Sequence, residues 1–100
     1  MGEPLINKLT GIVLANLRDE NFSVDTLAEA AGMSHSTLYR KLKQLRNQDA
    51  TQFIREVRLH RAMELLQQDE GTVAEIAYRV GFGSSTYFTK CFRDYFGFPP

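Results

Sequence analysis

The sequence predicts an all-α protein with two helix-turn-helix subdomains joined by a long central helix, on three observations. Val24-Asp25-Thr26-Leu27-Ala28-Glu29-Ala30-Ala31-Gly32-Met33 is followed 49 positions later by Val73-Ala74-Glu75-Ile76-Ala77-Tyr78-Arg79-Val80-Gly81-Phe82. Each copy runs into a polar turn and a second helix-forming stretch, Ser36-Thr37-Leu38-Tyr39-Arg40-Lys41 in one and Ser85-Thr86-Tyr87-Phe88-Thr89-Lys90 in the other. Proline is confined to Pro4, Pro99 and Pro100, which leaves the interior free to be helical. An apolar helix, a glycine turn and a polar-faced helix make the layout of a helix-turn-helix.

Taken in order, Leu5, Ile6, Leu9, Ile12, Val13 and Leu17 recur at helical spacing and predict a first helix over 5–17. Ser23 is placed to cap a helix over 24–31, which Gly32-Met33-Ser34 breaks. The next helix covers 35–45, with Leu38, Leu42 and Leu45 inward. Asp49 with Gln52 predicts a capping box opening a long helix over 50–68. Its apolar residues form two stripes, Ile54, Val57 and Leu65 on one side and Leu59, Met63 and Leu66 on the other, so it is expected to be buried on both. At 1.5 Å per residue such a helix is about 27 Å long, a plausible rigid bridge. Thr72 and Glu75 predict a second capping box before a helix over 73–80; after Gly81-Phe82-Gly83, Ser84 caps a helix running to about Tyr95. The expected organisation is a first lobe over 1–48, a central linker helix over 49–68, and a second, C-terminally truncated lobe over 69–100.

Bulk composition bounds this reading. One hundred residues with an apolar fraction of 43% suffice for one compact unit or two small lobes. No run of about 18 apolar residues is present, so no bilayer-spanning helix and no membrane contact are expected. Cys91 is the lone cysteine, which suits a reducing cytoplasm, and no signal-peptide pattern opens the chain. Twelve basic and twelve acidic residues cancel, whereas nucleic-acid-binding domains are more often basic. The distribution is uneven: Arg40, Lys41, Lys43 and Arg46 fall between His35 and Gln48 with no acid among them. One face can be positive while the total is zero.

The repeat constrains matching positions in both copies. Leu27 pairs with Ile76, Ala28 with Ala77, Ala31 with Val80, Gly32 with Gly81 and Met33 with Phe82. Continued at the same spacing, Leu38 and Leu42, or Tyr87 and Cys91, face inward, and Lys41 is equivalent to Lys90. The outward residues are then His35, Ser36, Tyr39, Arg40, Lys43 and Gln44 in the first copy, and Ser85, Thr86, Thr89, Lys90 and Arg93 in the second. These are hydrogen-bonding side chains without carboxylates, as base edges and phosphates require. Arg40 can donate two parallel bonds to guanine, and the capped N-termini offer N–H groups to phosphate. The candidate DNA-binding residues are Ser36, Tyr39, Arg40, Lys43, Ser85, Thr86, Thr89 and Lys90. Major-groove segments on one face of B-DNA recur about every 34 Å, close to the bridge length with the helix radii added, so both helices are expected to contact one duplex in successive turns, with some bending of the DNA to bring them into register.

The run Ile76-Ala77-Tyr78-Arg79-Val80-Gly81-Phe82-Gly83-Ser84-Ser85 through Lys90-Cys91-Phe92-Arg93-Asp94-Tyr95-Phe96-Gly97-Phe98-Pro99-Pro100 resembles the signature of the AraC-type bacterial transcription regulators, in their DNA-binding domain. Leu27 to Ser34 and Leu38 to Lys43 match the first half of that domain. The resemblance implies seven helices in two helix-turn-helix lobes, with base-reading positions on Ser36, Tyr39 and Arg40, and on Ser85, Thr86 and Lys90. It also implies an upstream sensory or dimerisation domain outside this chain, as in some hybrid two-component sensors. Two departures stand out. The loop Arg46-Asn47-Gln48-Asp49-Ala50-Thr51 lacks the Gly and Ser-Pro usual in the family, and the final short helix lies beyond Pro100, so the C-terminal end is expected to be somewhat less stable.

Other residues carry plainer roles. Cys91 reads as a small buried apolar residue; His35 and His60 lack a second ligand at metal spacing; the aromatics from Phe82 to Phe98 read mostly as core. Arg55, Arg58 and Arg61 are expected to pair with Glu56, Glu64 or other groups rather than with DNA. No nucleophile–base–acid set, phosphate loop, cofactor motif or metal cluster points to an enzyme. The leading expectation is sequence-specific binding of double-stranded DNA for transcription regulation. The alternative is a helical protein-interaction module, such as an RNA polymerase contact, with weak DNA binding.

Overall fold

The computed structural model describes residues Glu3–Pro100. Among these residues all regular structure is helical: α1 Glu3–Ala15, α2 Val24–Ala31, α3 His35–Arg46, α4 Ala50–Gln67, α5 Val73–Arg79 and α6 Ser85–Phe96. Capping explains most of the boundaries. Ser23 and Thr26 form a reciprocal capping box on α2, as Thr72 and Glu75 do on α5. At α4 the Gln52 amide donates to Asp49 Oδ1 at 2.8 Å, the Asp49 half of the expected box.

The chain divides into two compact units. Among the described residues the first comprises 3–16 and 21–57, the second 17–20 and 58–100. In the first unit, Ile6, Leu9 and Val13 of α1 bury one stripe against Leu27, Ala28 and Ala31 of α2 and Leu38 and Leu42 of α3, with Phe53 and Ile54 from the start of α4. Phe22, between α1 and α2, joins this core. In the second unit, Leu59, Ala62 and Leu65 of α4 pack with Ile76 and Ala77 of α5 and Phe88 and Phe92 of α6.

Two sequence expectations shift. The first helix stops at Ala15, where the Asn16 side-chain amide donates to the Ile12 carbonyl at 2.8 Å and uses an end carbonyl of the helix. Leu17 thereby leaves the α1 stripe and packs against the core of the second unit. The two apolar stripes of α4 sort by position along the helix: Phe53, Ile54 and Val57 serve the first core, Leu59 to Leu66 the second.

Candidate nucleic-acid interface

The geometry of α3 follows from its caps. Ser34 is extended, and its hydroxyl accepts from the Thr37 amide at 3.1 Å. Asn47 closes the helix in the left-handed conformation, φ 53°, which asparagine tolerates better than most residues. With the helix so bounded, Leu38 and Leu42, one turn apart, are fully buried. Ser36, Tyr39, Arg40 and Lys43 are exposed on the remaining face. Arg40 and Lys43 pair with no carboxylate among the described residues. The expected first-copy residues are thus together on one helix surface.

The second copy corrects the sequence register. Ser84 caps α6, accepting from the Tyr87 amide at 3.2 Å, and Gly97 closes it in the left-handed conformation. The buried pair is Phe88 and Phe92, while Tyr87 is 50% exposed and Cys91 only half-buried. The turn explains this. Met33 donates to the Ala28 carbonyl and Phe82 to the Ala77 carbonyl, so the 49-residue spacing holds through the glycine turn. Gly83 then adds a residue before the cap, and from Ser34 and Ser84 through the end caps Asn47 and Gly97 the spacing is 50.

Equivalences on the polar face move accordingly. Arg40 matches Lys90, Tyr39 matches Thr89, Ser36 matches Thr86 and Lys43 matches Arg93. Lys41, expected to be the counterpart of Lys90, is instead equivalent to Cys91, and both are half-buried. Arg93, outward in the sequence reading but not among the candidate DNA-binding residues, is exposed at the station of Lys43. The second glycine of Gly81-Phe82-Gly83 was the available signal, together with the better apolar pair Phe88 and Phe92.

The two faces also differ electrostatically. The Lys90 ammonium donates to Asp94 Oδ2 at 3.2 Å across one helical turn. Asp94 is exposed, so the α6 surface carries a carboxylate, contrary to expectation. The Thr89 hydroxyl donates to the Ser85 carbonyl at 2.9 Å, which commits its proton to its own helix. Ser85 and Thr89 are half-buried; Thr86 and Lys90 are exposed.

The two turns are braced by cations. Lys8 of α1 donates to the Ala31 carbonyl at 3.1 Å, in the last turn of α2, where a helix exposes unpaired carbonyls. In the second unit Arg58 donates to the Gly81 carbonyl at 2.7 Å and to the Asp19 carbonyl at 2.8 Å. Burial pushes the Arg58 guanidinium below its ordinary value, while the charge of Asp19 opposes that shift. Arg58 thus bonds to main-chain oxygens rather than to a glutamate, whereas Arg61 pairs with Glu64 as expected. The aromatic expectation holds for Phe82, Phe88 and Phe92, but Tyr87, Tyr95 and Phe98 are substantially exposed. No helix among the described residues is long and apolar enough to cross a membrane.

Two capped, outward-facing helices of equal length, each preceded by a glycine turn and an apolar helix, define a double helix-turn-helix domain. A helix-turn-helix domain family model matches residues 27–100. The chain is 39% identical over 98% of its length to a histidine kinase P4 of Formosa agariphila, of which it covers 7%. Among solved structures, a transcriptional regulator of Chromobacterium violaceum, of the AraC-type DNA-binding-domain-containing proteins, is 30% identical with a TM-score of 0.88, over 99% of this chain and 88% of that one. The DNA-binding domain of AdpA, a global transcriptional factor solved with a target DNA, is also 30% identical, with a TM-score of 0.82 over 95% of this chain and 85% of that one. The chain belongs to the AraC-type helix-turn-helix family. It spans between 7% and 33% of the curated relatives that it matches over most of its own length.

Proposed function

We propose that this domain binds double-stranded DNA sequence-specifically to regulate transcription, with α3 and α6 entering successive major grooves. The observation that carries this reading is the shared build of the two helices. Each follows a glycine turn, is capped by a serine, and turns hydrogen-bonding and cationic side chains away from a buried apolar pair. A helix presented in this way fits the major groove and can reach base edges. The AdpA domain, of the same fold, was solved with its target DNA.

In this reading Ser36, Tyr39 and Arg40 read bases in one groove, and Thr86, Thr89 and Lys90, with the neighbouring Ser85, do so in the next. Lys43 and Arg93, one turn further along, hold phosphates. The chain acts without catalysis, as the reader of a longer bacterial protein whose sensory or dimerisation domain lies outside it. The test is selection from a random duplex library followed by a salt titration. A selected duplex whose affinity falls steeply with salt supports the reading, because displaced counterions accompany each phosphate contact.

A second reading, a helical module that contacts a protein such as RNA polymerase, is favoured by the zero net charge and by Asp94 on the α6 face. It predicts little DNA binding at any salt concentration.

A further inference from the structure

We propose that Arg58 is a positioning residue for DNA recognition: it fixes where α6 starts and points without itself touching DNA. This rests on the DNA-binding reading above. Arg58 is 7% exposed, too enclosed for a phosphate contact. Its two terminal nitrogens hold carbonyls from distant parts of the sequence, Gly81 at 2.7 Å and Asp19 at 2.8 Å. The guanidinium is a flat fork with fixed directions, so two such bonds set the distance and angle between the strands of chain they join. Its Nε is buried with no partner. An interior arginine with one orphaned donor costs stability; what it supplies in return is a donor to each of two carbonyls, and with them the link between the two segments.

The link falls at the second recognition turn. Gly81 has φ +91°, and a Cβ built there would overlap the Leu17 carbonyl oxygen and stand 2.7 Å from Arg58 Cζ. The turn is therefore wedged between the 17–20 segment and the guanidinium. Ser84, three residues on, caps α6, so any drift of the Gly81 carbonyl is passed to the first turn of the reading helix. The extra residue Gly83 makes this turn longer than its counterpart in the first unit, where a single bond from Lys8 to Ala31 suffices.

The test compares the full chain with Arg58→Lys and Arg58→Met on the duplex that the unaltered chain selects, at a temperature where circular dichroism shows each protein folded. Arg40→Ala and Lys90→Ala mark which base positions belong to α3 and which to α6. The expected result is a loss of affinity on the order of tenfold for both Arg58 variants. It should be confined to the Lys90-dependent positions, with affinity for random duplex and the salt slope unchanged. Lysine keeps the charge and most of the stem, but its single rotatable ammonium lacks the flat two-nitrogen fork that fixes the angle between the two carbonyls, so it should not rescue.

Several results overturn the proposal. One is a folded Arg58→Lys with unaltered affinity and base preference. Another is equal loss at the α3 and α6 positions. A salt slope lowered by about one in Arg58→Met would make Arg58 a phosphate contact. If neither variant folds even in the cold, Arg58 serves stability alone. If the unaltered chain selects no duplex, the DNA-binding reading itself falls and takes this role with it.

Discussion

Arg40 and Lys90 occupy the same station of their helices, each six residues beyond a capping serine, Ser34 in one case and Ser84 in the other. Both are exposed. Substituting either by alanine should weaken binding to the selected duplex by about 1–3 kcal/mol and relax preference at one base position. Lys43→Ala and Arg93→Ala should instead weaken selected and random duplexes alike and lower the salt slope by about one. Fluorescence anisotropy titrations over salt, on both duplexes, measure all four.

The Lys90–Asp94 pair divides the two stations. An exposed pair one turn apart on a helix is worth about 0.3–0.5 kcal/mol, so breaking it costs little stability. Asp94→Asn should leave the melting temperature nearly unchanged. It should tighten DNA binding, because Lys90 is released and a negative charge leaves a surface that must approach phosphates. Weaker binding by Asp94→Asn would assign the aspartate to base contact, as an acceptor from cytosine.

The 50-residue spacing beyond the turn makes a claim about stability. Phe88→Ala empties a fully buried site and should cost about 3–5 kcal/mol. Tyr87→Ala removes a half-exposed ring that packs beside Phe82, and should cost clearly less than Phe88→Ala. Urea unfolding of the two variants decides between the spacings, since a 49-residue register would reverse the order.

Acid should loosen the second unit through α5. The Thr72 backbone amide, then the Thr72 hydroxyl, holds the Glu75 carboxyl below the usual carboxylate range, and Arg79 adds to the effect. A carboxyl with a depressed folded-state pKa adds stability above its unfolded value, about 4.3. That stability fades as pH falls through the lower folded value. Urea midpoints followed downward from neutrality should therefore fall below about pH 4.3, and Glu75→Gln, which keeps an acceptor but cannot ionise, should flatten that part of the decline.

The helices and caps were legible in the sequence because they depend on local chemistry. Ser23, Ser84, Thr72 and Glu75 cap as their types and spacing require, and Leu27, Ala28, Ile76 and Ala77 are buried as the repeat demands. The face of α6 was misjudged because one inserted residue rotates every later side chain by about 100° around a helix. Sequence identity between Ser36 and Ser85, or Lys41 and Lys90, concealed that insertion. Arg58 was illegible as a brace, since its partners are carbonyl oxygens of Gly81 and Asp19, which every residue carries. Leu17 was assigned to α1 because its spacing fits that stripe, and nothing local marks the capping role of Asn16.

Hydroxyl-radical footprinting of the full chain on its selected duplex tests the central claim most directly. Two protected patches about 10 base pairs apart, one erased by Arg40→Ala and the other by Lys90→Ala, are the predicted result. A single patch indifferent to Lys90→Ala would contradict it, leaving α3 as the only helix that reads DNA.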